Sequence, residues 1–242
     1  MPALIIVISD GAGSARSAEI GSRLAVTSMV EQAEAWLQTA PEVSALTREI
    51  FESWVEGVRE QIADVAGVAE AEMRDYAATL LVAVLGPEHA AFGQIGDGAI
   101  VVLTGEFEWA WVFWPQHGQY VNTTHFVTDG DALKRLEFDT GPRTVREIAA
   151  FSDGLEGLVL DNKSRSAHQP FFNRIVAPLR GSKETGWDEK LSKHLEAYLS
   201  SGTVSSKTND DVTLVIASRL DASAILLAQA SKAVENINES VG

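Results

Sequence analysis

The chain has 242 residues, 45% of them hydrophobic, which is enough for one domain with a sizeable core and excludes an intrinsically disordered protein. Its 34 acidic and 19 basic residues give a formal net charge of −15, which argues against nucleic acid as a partner. There is no cysteine, so disulfides, thiolate nucleophiles and cysteine-based zinc sites are excluded.

The N terminus is apolar but does not resemble a signal peptide. Residues 3–8 form a short β-branched run that stops at Ser9-Asp10-Gly11, with no basic region or cleavage site, and they predict a strand buried on both faces. No apolar run elsewhere has the length of a membrane span. We therefore expect a soluble, cytoplasmic protein with no membrane partner.

Two long helices are predicted after this strand. The first covers residues 17–38, with one apolar face formed by Ile20, Leu24, Trp36 and Leu37. The second covers residues 42–66. It has the clearest apolar stripe in the chain, at spacings of three and four residues: Val43, Leu46, Ile50, Trp54, Val58, Ile62 and Val65.

From residue 77 the hydrophobic period changes from that of a helix to that of a strand. Four short apolar segments separated by glycine-containing turns predict consecutive, antiparallel, neighbouring strands over residues 77–85, 90–95, 99–103 and 107–113. Trp109, Trp111 and Phe113 alternate along the last of these strands, so we expect them to share one buried face.

The second half of the chain is less regular. A loop is predicted at 139–142, and the region after residue 160 is polar apart from an apolar island at 171–179. The clear elements are a strand over 145–151, a helix over 187–199, a strand over 212–217 and a final helix over 223–237. Helices segregated from antiparallel strands indicate the α+β class. We expect one domain over residues 1–220, followed by a C-terminal helix or tail over 221–242.

Four aspartates occur at the ends of apolar strands. Asp10 and Asp153 each close a predicted strand and are followed by glycine, Asp210 precedes the last predicted strand, and Asp97 lies in Gly96-Asp97-Gly98. Each alone is ordinary turn chemistry, since aspartate and glycine tolerate the backbone angles of turns. Strands that lie side by side could, however, bring all four to one rim. Carboxylates gathered there stay ionised only beside a cation, and oxygen ligands without histidine or cysteine suit Mg²⁺ or Mn²⁺.

The segments around these aspartates resemble the motifs of the protein phosphatase 2C family, in the family's order. Residues 6–15 resemble its first aspartate-glycine motif and residues 92–98 its central glycine-aspartate motif. Residues 149–155 are similar to its serine-aspartate-glycine motif. Residues 208–216 resemble its closing motif, an aspartate followed by Asn or Asp and a threonine-bearing strand. The match extends over residues 3–218, and the first motif is most similar to a bacterial branch.

The resemblance implies a four-layer α-β-β-α sandwich, in which two antiparallel sheets are flanked by helices and a metal pair lies at one end. It implies that Asp10 bridges two Mn²⁺ or Mg²⁺ ions, with help from the Gly11 carbonyl. Asp153 and Asp210 would hold one of these ions, and Asp97 would share a third, weaker metal site with Asp153. The catalytic residues implied are Asp10, Asp153 and Asp210.

In this family the site hydrolyses phosphoserine or phosphothreonine with a hydroxide that bridges the two metals. The resemblance therefore implies a metal-dependent serine/threonine protein phosphatase, with a phosphorylated protein as substrate and a serine/threonine kinase as its counterpart.

The chain departs from the family's pattern at its start. The family usually has an earlier strand with an acidic pair that supplies another ligand, and often an arginine for phosphate, whereas this sequence begins at the next strand. Two alternatives therefore stay open: a pseudophosphatase that binds phosphoproteins without hydrolysing them, and a hydrolase of small phosphorylated molecules. Arg16 is a candidate phosphate contact but is expected to be a solvated surface charge.

Overall fold

The computed structural model describes residues 3–40, 42–105, 108–117 and 124–220. The strands in these ranges are β1 (Leu4–Ile8), β2 (Leu80–Leu85), β3 (His89–Ile95), β4 (Ala99–Leu103), β5 (Trp109–Trp111), β6 (Glu137–Pro142), β7 (Glu147–Phe151), β8 (Leu160–Asp161), β9 (Ser166–Ala167) and β10 (Leu214–Ser218). The α-helices are α1 (Ala18–Thr39), α2 (Arg48–Val68), α3 (Ala132–Arg135), α4 (Glu156–Val159), α5 (Gln169–Gly181), α6 (Glu189–Leu199) and α7 (Gly202–Ser205). None of the helices described here combines the length and apolar character needed to cross a bilayer. The helix predicted at 223–237 and the segment 221–242 lie outside the described residues.

Eight of these strands form two antiparallel sheets. The first sheet has the order β1-β2-β3-β6 and the second has the order β10-β7-β4-β5, while β8 and β9 form a separate hairpin. One apolar cluster lies between the two sheets. A second lies between the first sheet and its helices, and a third lies between the second sheet and its helices. The predicted α+β class and the sandwich of two sheets flanked by helices are confirmed.

The chain changes sheets between β3 and β4. The prediction that the strands between residues 77 and 113 are consecutive neighbours is wrong at this point, because β3 pairs with β2 and β6 while β4 pairs with β5 and β7. Gly96-Asp97-Gly98 makes the crossing. Gly96 has φ +115°, a conformation that residues with a side chain rarely adopt. The crossing leaves Asp97 at one end of the sandwich.

Two other strands differ from their predictions. β1 packs on both faces, as predicted, but it lies at a sheet edge, and Leu4 is 41% exposed. Residues 139–142, predicted to be a loop, belong to β6, which pairs with β3 at the opposite edge of the same sheet. Their composition resembles that of a loop because edge strands tolerate glycine, proline and charged residues.

The helix α2 covers the outer face of the first sheet with the apolar stripe that the sequence predicted. Trp54, Val58 and Ile62 are buried there. The helix begins later than predicted because the Thr47 side chain caps it by accepting a hydrogen bond from the amide of Ile50 (3.4 Å). The first part of the stripe therefore lies in a 3-10 turn over Val43–Ala45 and the residue that follows it.

The helix α1 packs against the same apolar cluster as α2 through the predicted Leu24, Trp36 and Leu37, together with a row of small residues that was not predicted. Its buried residues are mostly small: Gly21, Ala25, Ser28, Met29 and Ala33. Ile20, which was assigned to the apolar face, is 38% exposed. Small residues let a helix approach its neighbours closely, and hydropathy alone does not reveal such a face.

The helix α5 covers the outer face of the second sheet. Phe172 is fully buried, with its ring centroid 5.3 Å from that of Trp109 and 6.0 Å from that of Phe151. The island predicted at 171–179 is thus part of a helix, which tolerates Pro170 in its first turn. The next helix, α6, begins after Asp188, and Trp187, predicted to lie within it, is 80% exposed.

Candidate active site

The strand register brings the four aspartates to one end of the sandwich. In the first sheet, the end of β1 lies beside the start of β2, which in turn pairs with the end of β3, so Asp10 and Asp97 leave the sheet together. In the second sheet, the end of β7 lies beside the starts of β4 and β10, so Asp153 and Asp210 flank one end. The two ends coincide because β3 and β4 are joined through Asp97.

Thr79, the residue before β2, fixes the loop that carries Asp10. The amide of Asp10 donates to Oγ1 of Thr79 (2.9 Å), and the amide of Thr79 donates to the carbonyl of Asp10 (2.8 Å). The Ser9 hydroxyl donates to the Thr79 carbonyl (2.6 Å), and Gly11 forms a bridge with Ala78. Thr79 was not predicted from the sequence, in which its one signal is a polar residue at the start of an apolar run.

Ser152 and Gly154 tie the loop of Asp153 to the segment that precedes β10. The Ser152 hydroxyl donates to the carbonyl of Asp211 (3.2 Å) and accepts from the amide of Thr213 (3.1 Å). A Cβ added at Gly154 would lie 2.3 Å from the carbonyl oxygen of Asp211, so glycine is needed for this approach. The residues on either side of Asp153 therefore hold it next to the segment of the fourth aspartate.

Gln116 anchors the turn that carries Asp97. The amide of Gly96 donates to Oε1 of Gln116 (2.9 Å), and the amide of Gln116 donates to the carbonyl of Gly96 (3.1 Å). A Cβ at Gly96 would lie 2.6 Å from Cγ2 of Thr79, so this turn also rests against the residue that organises the first loop. The loops of the first and central motifs are therefore in direct contact.

Burial and mutual repulsion raise the pKa values of three of the four carboxyl groups. Burial is the largest cause of the rise in the pKa of Asp10 to about 7, and the charge of Asp153 is the next. Burial likewise raises the pKa of Asp97 to about 6, with a further contribution from the charge of Asp153. The pKa of Asp153 is raised first by burial and then by the charge of Asp210. The carboxyl groups are thus close enough to oppose one another's ionisation.

Asp10 and Asp153 form the innermost pair. The two carboxyl groups approach closely enough for a hydrogen bond between them to raise the pKa of Asp10 and oppose the rise in the pKa of Asp153. Oδ1 of Asp153 is buried and has no hydrogen-bond partner among the described residues. Asp210 is exposed, and its Oδ1 accepts from the amide of Asp211 (2.9 Å). The pair therefore has an unsatisfied acceptor and a proton that a cation could replace.

This donor set fits a hard divalent cation. In the described ranges, no three His, Asp or Glu side chains lie close enough together to form a complete metal cage, so the structure shows a pair with two aspartates nearby. Carboxylate and carbonyl oxygens without nitrogen or sulfur donors suit Mg²⁺ or Mn²⁺. A cation there would relieve the repulsion between Asp10 and Asp153 and give Oδ1 of Asp153 a partner.

A polar cluster beside the aspartates was not predicted from the sequence. Nε2 of His117 lies 3.1 Å from Oε1 of Glu156, which also accepts from Nδ2 of Asn162 (3.3 Å). Glu156 is buried, and its charge contributes to the raised pKa of Asp153, while His117 acts to lower the pKa of Asp97. No sequence pattern connects the three residues of this cluster, which meet only in the fold.

The raised pKa values predict a pH-dependent stability for protein stripped of divalent cations. A carboxyl whose pKa is higher in the folded state stabilises the fold below its unfolded pKa, and this contribution is lost as pH rises through the folded pKa. The window runs from 3.8 to about 7 for Asp10 and from 3.8 to about 6 for Asp97. Thermal unfolding in chelator should therefore show stability falling across this window, and falling less in Asp10→Asn. Parallel pH profiles for the two proteins would contradict the assignment.

Comparisons with known proteins agree with this architecture. The sequence model of the protein phosphatase 2C family matches residues 2–200. The chain is 33% identical over 216 residues to serine/threonine-protein phosphatase 3 of Escherichia coli (strain K12). The aligned region covers 89% of this chain and 84% of that protein. The catalytic domain of the serine/threonine protein phosphatase PstP, solved with two manganese ions, has a similar fold (TM-score 0.60, 14% identity, 90% and 88% coverage). So does Stp1 from Staphylococcus aureus (TM-score 0.54, 16% identity, 90% and 84% coverage).

The chain belongs to the protein phosphatase 2C family, as its four motifs indicated. It is a metal-dependent serine/threonine protein phosphatase. At 14% and 16% identity, the similarity to these two solved structures establishes the fold of the chain. The roles of its individual residues rest on its own geometry.

Proposed function

We propose that Asp10, Asp153 and Asp210 hold the catalytic cations of this phosphatase, with the carbonyl of Gly11 as a further ligand. The observation that carries the proposal is the close approach of Asp10 and Asp153, which raises the pKa of Asp10, while one buried oxygen of Asp153 has no partner among the described residues. Asp97 is half-buried beside Asp153 and suits a weaker, additional site. We propose two Mn²⁺ or Mg²⁺ ions at the main site and a third at Asp97.

Bound cations would lower the pKa of a coordinated water and place positive charge against the phosphoryl group. The chain's own part is to hold the carboxylates in place before substrate arrives. Thr79 fixes the loop of Asp10, and Ser152 with Gly154 fixes the loop of Asp153. Because the pKa of Asp10 is raised to about 7, cation binding near neutral pH is coupled to the loss of its proton.

The substrate we propose is a protein that carries phosphoserine or phosphothreonine, the product of a serine/threonine kinase. A surface of net charge −15 repels such substrates, so the cations would support substrate binding as well as hydrolysis. We place this activity in residues 1–220 and in the cytoplasm, where a kinase counterpart would share its substrates.

The test is hydrolysis of a phosphoserine peptide and of an aryl phosphate by the full chain, with and without Mn²⁺. We expect turnover of both substrates to require the cation, to stop on chelation and to return when Mn²⁺ is added back, while circular dichroism shows a folded protein throughout. Peptide binding without hydrolysis at saturating Mn²⁺ would instead establish the pseudophosphatase. Hydrolysis confined to small phosphate esters would establish the small-molecule hydrolase.

A further inference from the structure

Arg165 lies in a notch between the indole rings of Trp111 and Trp114. Its guanidinium carbon is 5.6 Å from the centre of the Trp111 ring and 5.2 Å from that of Trp114, which is within cation–π range. The two rings meet edge to face, with centroids 5.6 Å apart. Of the three aromatic residues predicted to share a buried face, Trp109 is buried, Trp111 is 36% exposed and Phe113 packs between the sheets. Trp111 thus supports an arginine at the surface.

The turn between β8 and β9 holds Arg165 firmly. Oδ1 of Asp161 accepts from the amides of Lys163 (2.8 Å) and Ser164 (3.2 Å), and Nε1 of Trp111 donates to the carbonyl of Arg165 (2.8 Å). Arg165 has φ +49°, a left-handed conformation that is unfavourable for a residue with a side chain and often marks a functional position. A residue held in this way loses little conformational freedom when it binds a ligand.

The notch lies at the rim of the carboxylate site. Nε2 of Gln94 donates to the carbonyls of both Gly96 (3.2 Å) and Trp114 (3.4 Å), so Trp114 lies beside the turn that carries Asp97. From the other side, Asn162 in the same hairpin donates to Glu156, part of the polar cluster next to the aspartates. The hairpin therefore extends from the aromatic notch to the edge of the site.

The guanidinium of Arg165 keeps its polar edges available. It forms no salt bridge and donates no side-chain hydrogen bond within the described ranges. Its charge acts on Glu137 at longer range, where it opposes the rise in the pKa of Glu137 that burial causes. Arg16, the phosphate contact considered from the sequence, is also exposed, but no aromatic ring among the described residues supports it in the same way. A guanidinium stacked on rings retains five N–H donors in the fork that carboxylates and phosphates match.

We propose that Arg165 recognises an oxyanion of the phosphoprotein substrate other than the phosphate being hydrolysed: a carboxylate of a nearby acidic residue or a second phosphate group. The proposal rests on the phosphatase function proposed above and adds a preference for acidic sequence around the target residue. In a chain of net charge −15, a fixed arginine at the rim gives such substrates a favourable contact beside the site. Both anions present paired oxygens to the guanidinium fork, and experiment can separate them.

The test uses phosphoserine peptides in which each flanking position carries in turn Gln, Glu or a second phosphoserine, hydrolysed by the full chain with Mn²⁺. For the wild type we expect a lower KM when one particular position is acidic. In Arg165→Gln, the preference for that peptide over its Gln counterpart should fall roughly tenfold, through KM and not kcat, as the loss of a charge-assisted hydrogen bond requires. Arg165→Lys keeps the charge without the guanidinium fork, so its preference should lie between that of the wild type and that of Arg165→Gln. If Arg165→Gln loses the preference for Glu, the group bound by Arg165 is a carboxylate. If it loses only the preference for the second phosphoserine, the group is a phosphate.

Arg146→Gln is the matched control, because it removes the same charge from an exposed residue at the opposite end of the sandwich. An equal change of preference in both variants would mean a general effect of net charge and would overturn the proposal. So would a wild type without any acidic preference, or an equal loss in Arg165→Gln on all peptides and on aryl phosphate. If the wild type binds but does not hydrolyse, the proposed activity fails separately. The anisotropy of labelled peptides then measures the same preference from binding alone.

Discussion

Asp10→Asn and Asp153→Asn are each expected to lower metal-dependent phosphatase activity by more than about a hundredfold, since even the outer partners of metal ligands account for losses of 10–100-fold. Each substitution removes a carboxylate from the innermost pair while keeping its shape. The measurement is kcat/KM for a phosphopeptide at saturating Mn²⁺. Because the cation is saturating, a lower activity then reports a loss of turnover and not weaker cation binding.

The same two variants should remain folded. Asparagine relieves repulsion between half-buried carboxyl groups, so the thermal midpoint of the cation-free protein should not fall below that of the wild type at neutral pH. Asp64→Asn is the matched control, because Asp64 is exposed on α2, outside the site, and its loss should leave the activity unchanged. Wild-type activity in both site variants would end the assignment of these residues to the catalytic site.

The second large effect is expected for Phe172→Ala, which should lower the free energy of unfolding by about 3–5 kcal/mol. Phe172 is fully buried and joins α5 to the second sheet through its contacts with Trp109 and Phe151. Truncation leaves a cavity between two rigid layers that can close over it only in part. Urea unfolding followed by circular dichroism measures the change.

Trp187→Ala serves as the control for Phe172→Ala, since it removes a larger aromatic side chain that is 80% exposed. Its effect should stay within about 0.5 kcal/mol, as for surface substitutions in general. A loss for Phe172→Ala no larger than that of Trp187→Ala would show that α5 does not depend on this contact.

Most of the strands could be predicted because their apolar runs are short and end at glycine, proline or aspartate. The sheet to which each strand belongs could not. The turn Gly96-Asp97-Gly98 has the composition of a hairpin turn, and whether the chain folds back or crosses to a second sheet depends on packing between distant layers. The loop-like composition of β6 hid an edge strand for a related reason, because its pairing with β3 is also a long-range contact.

The site shows the same division. Asp10, Asp97, Asp153 and Asp210 could be found because each follows or precedes a strand within a recognisable motif. The residues that hold them, such as Thr79, carry no comparable signal. Glutamate is usually a surface residue, and only the fold reveals that Glu156 is buried beside Asp153 with His117 as its partner. Arg165 was missed because one of the two tryptophans that support it, Trp111, had been predicted to lie on a buried face, and no prediction was made for the other, Trp114.

The most direct test of the account is a calorimetric titration of the full chain with Mn²⁺ at about pH 6.5, repeated in two buffers with different ionisation enthalpies. Because burial and the charge of Asp153 raise the pKa of Asp10 to about 7, we predict saturable binding that releases a proton. Binding should be lost in the double variant Asp10→Asn, Asp153→Asn. Undiminished binding in that variant, or binding by the wild type without proton release, would show that the cations lie elsewhere.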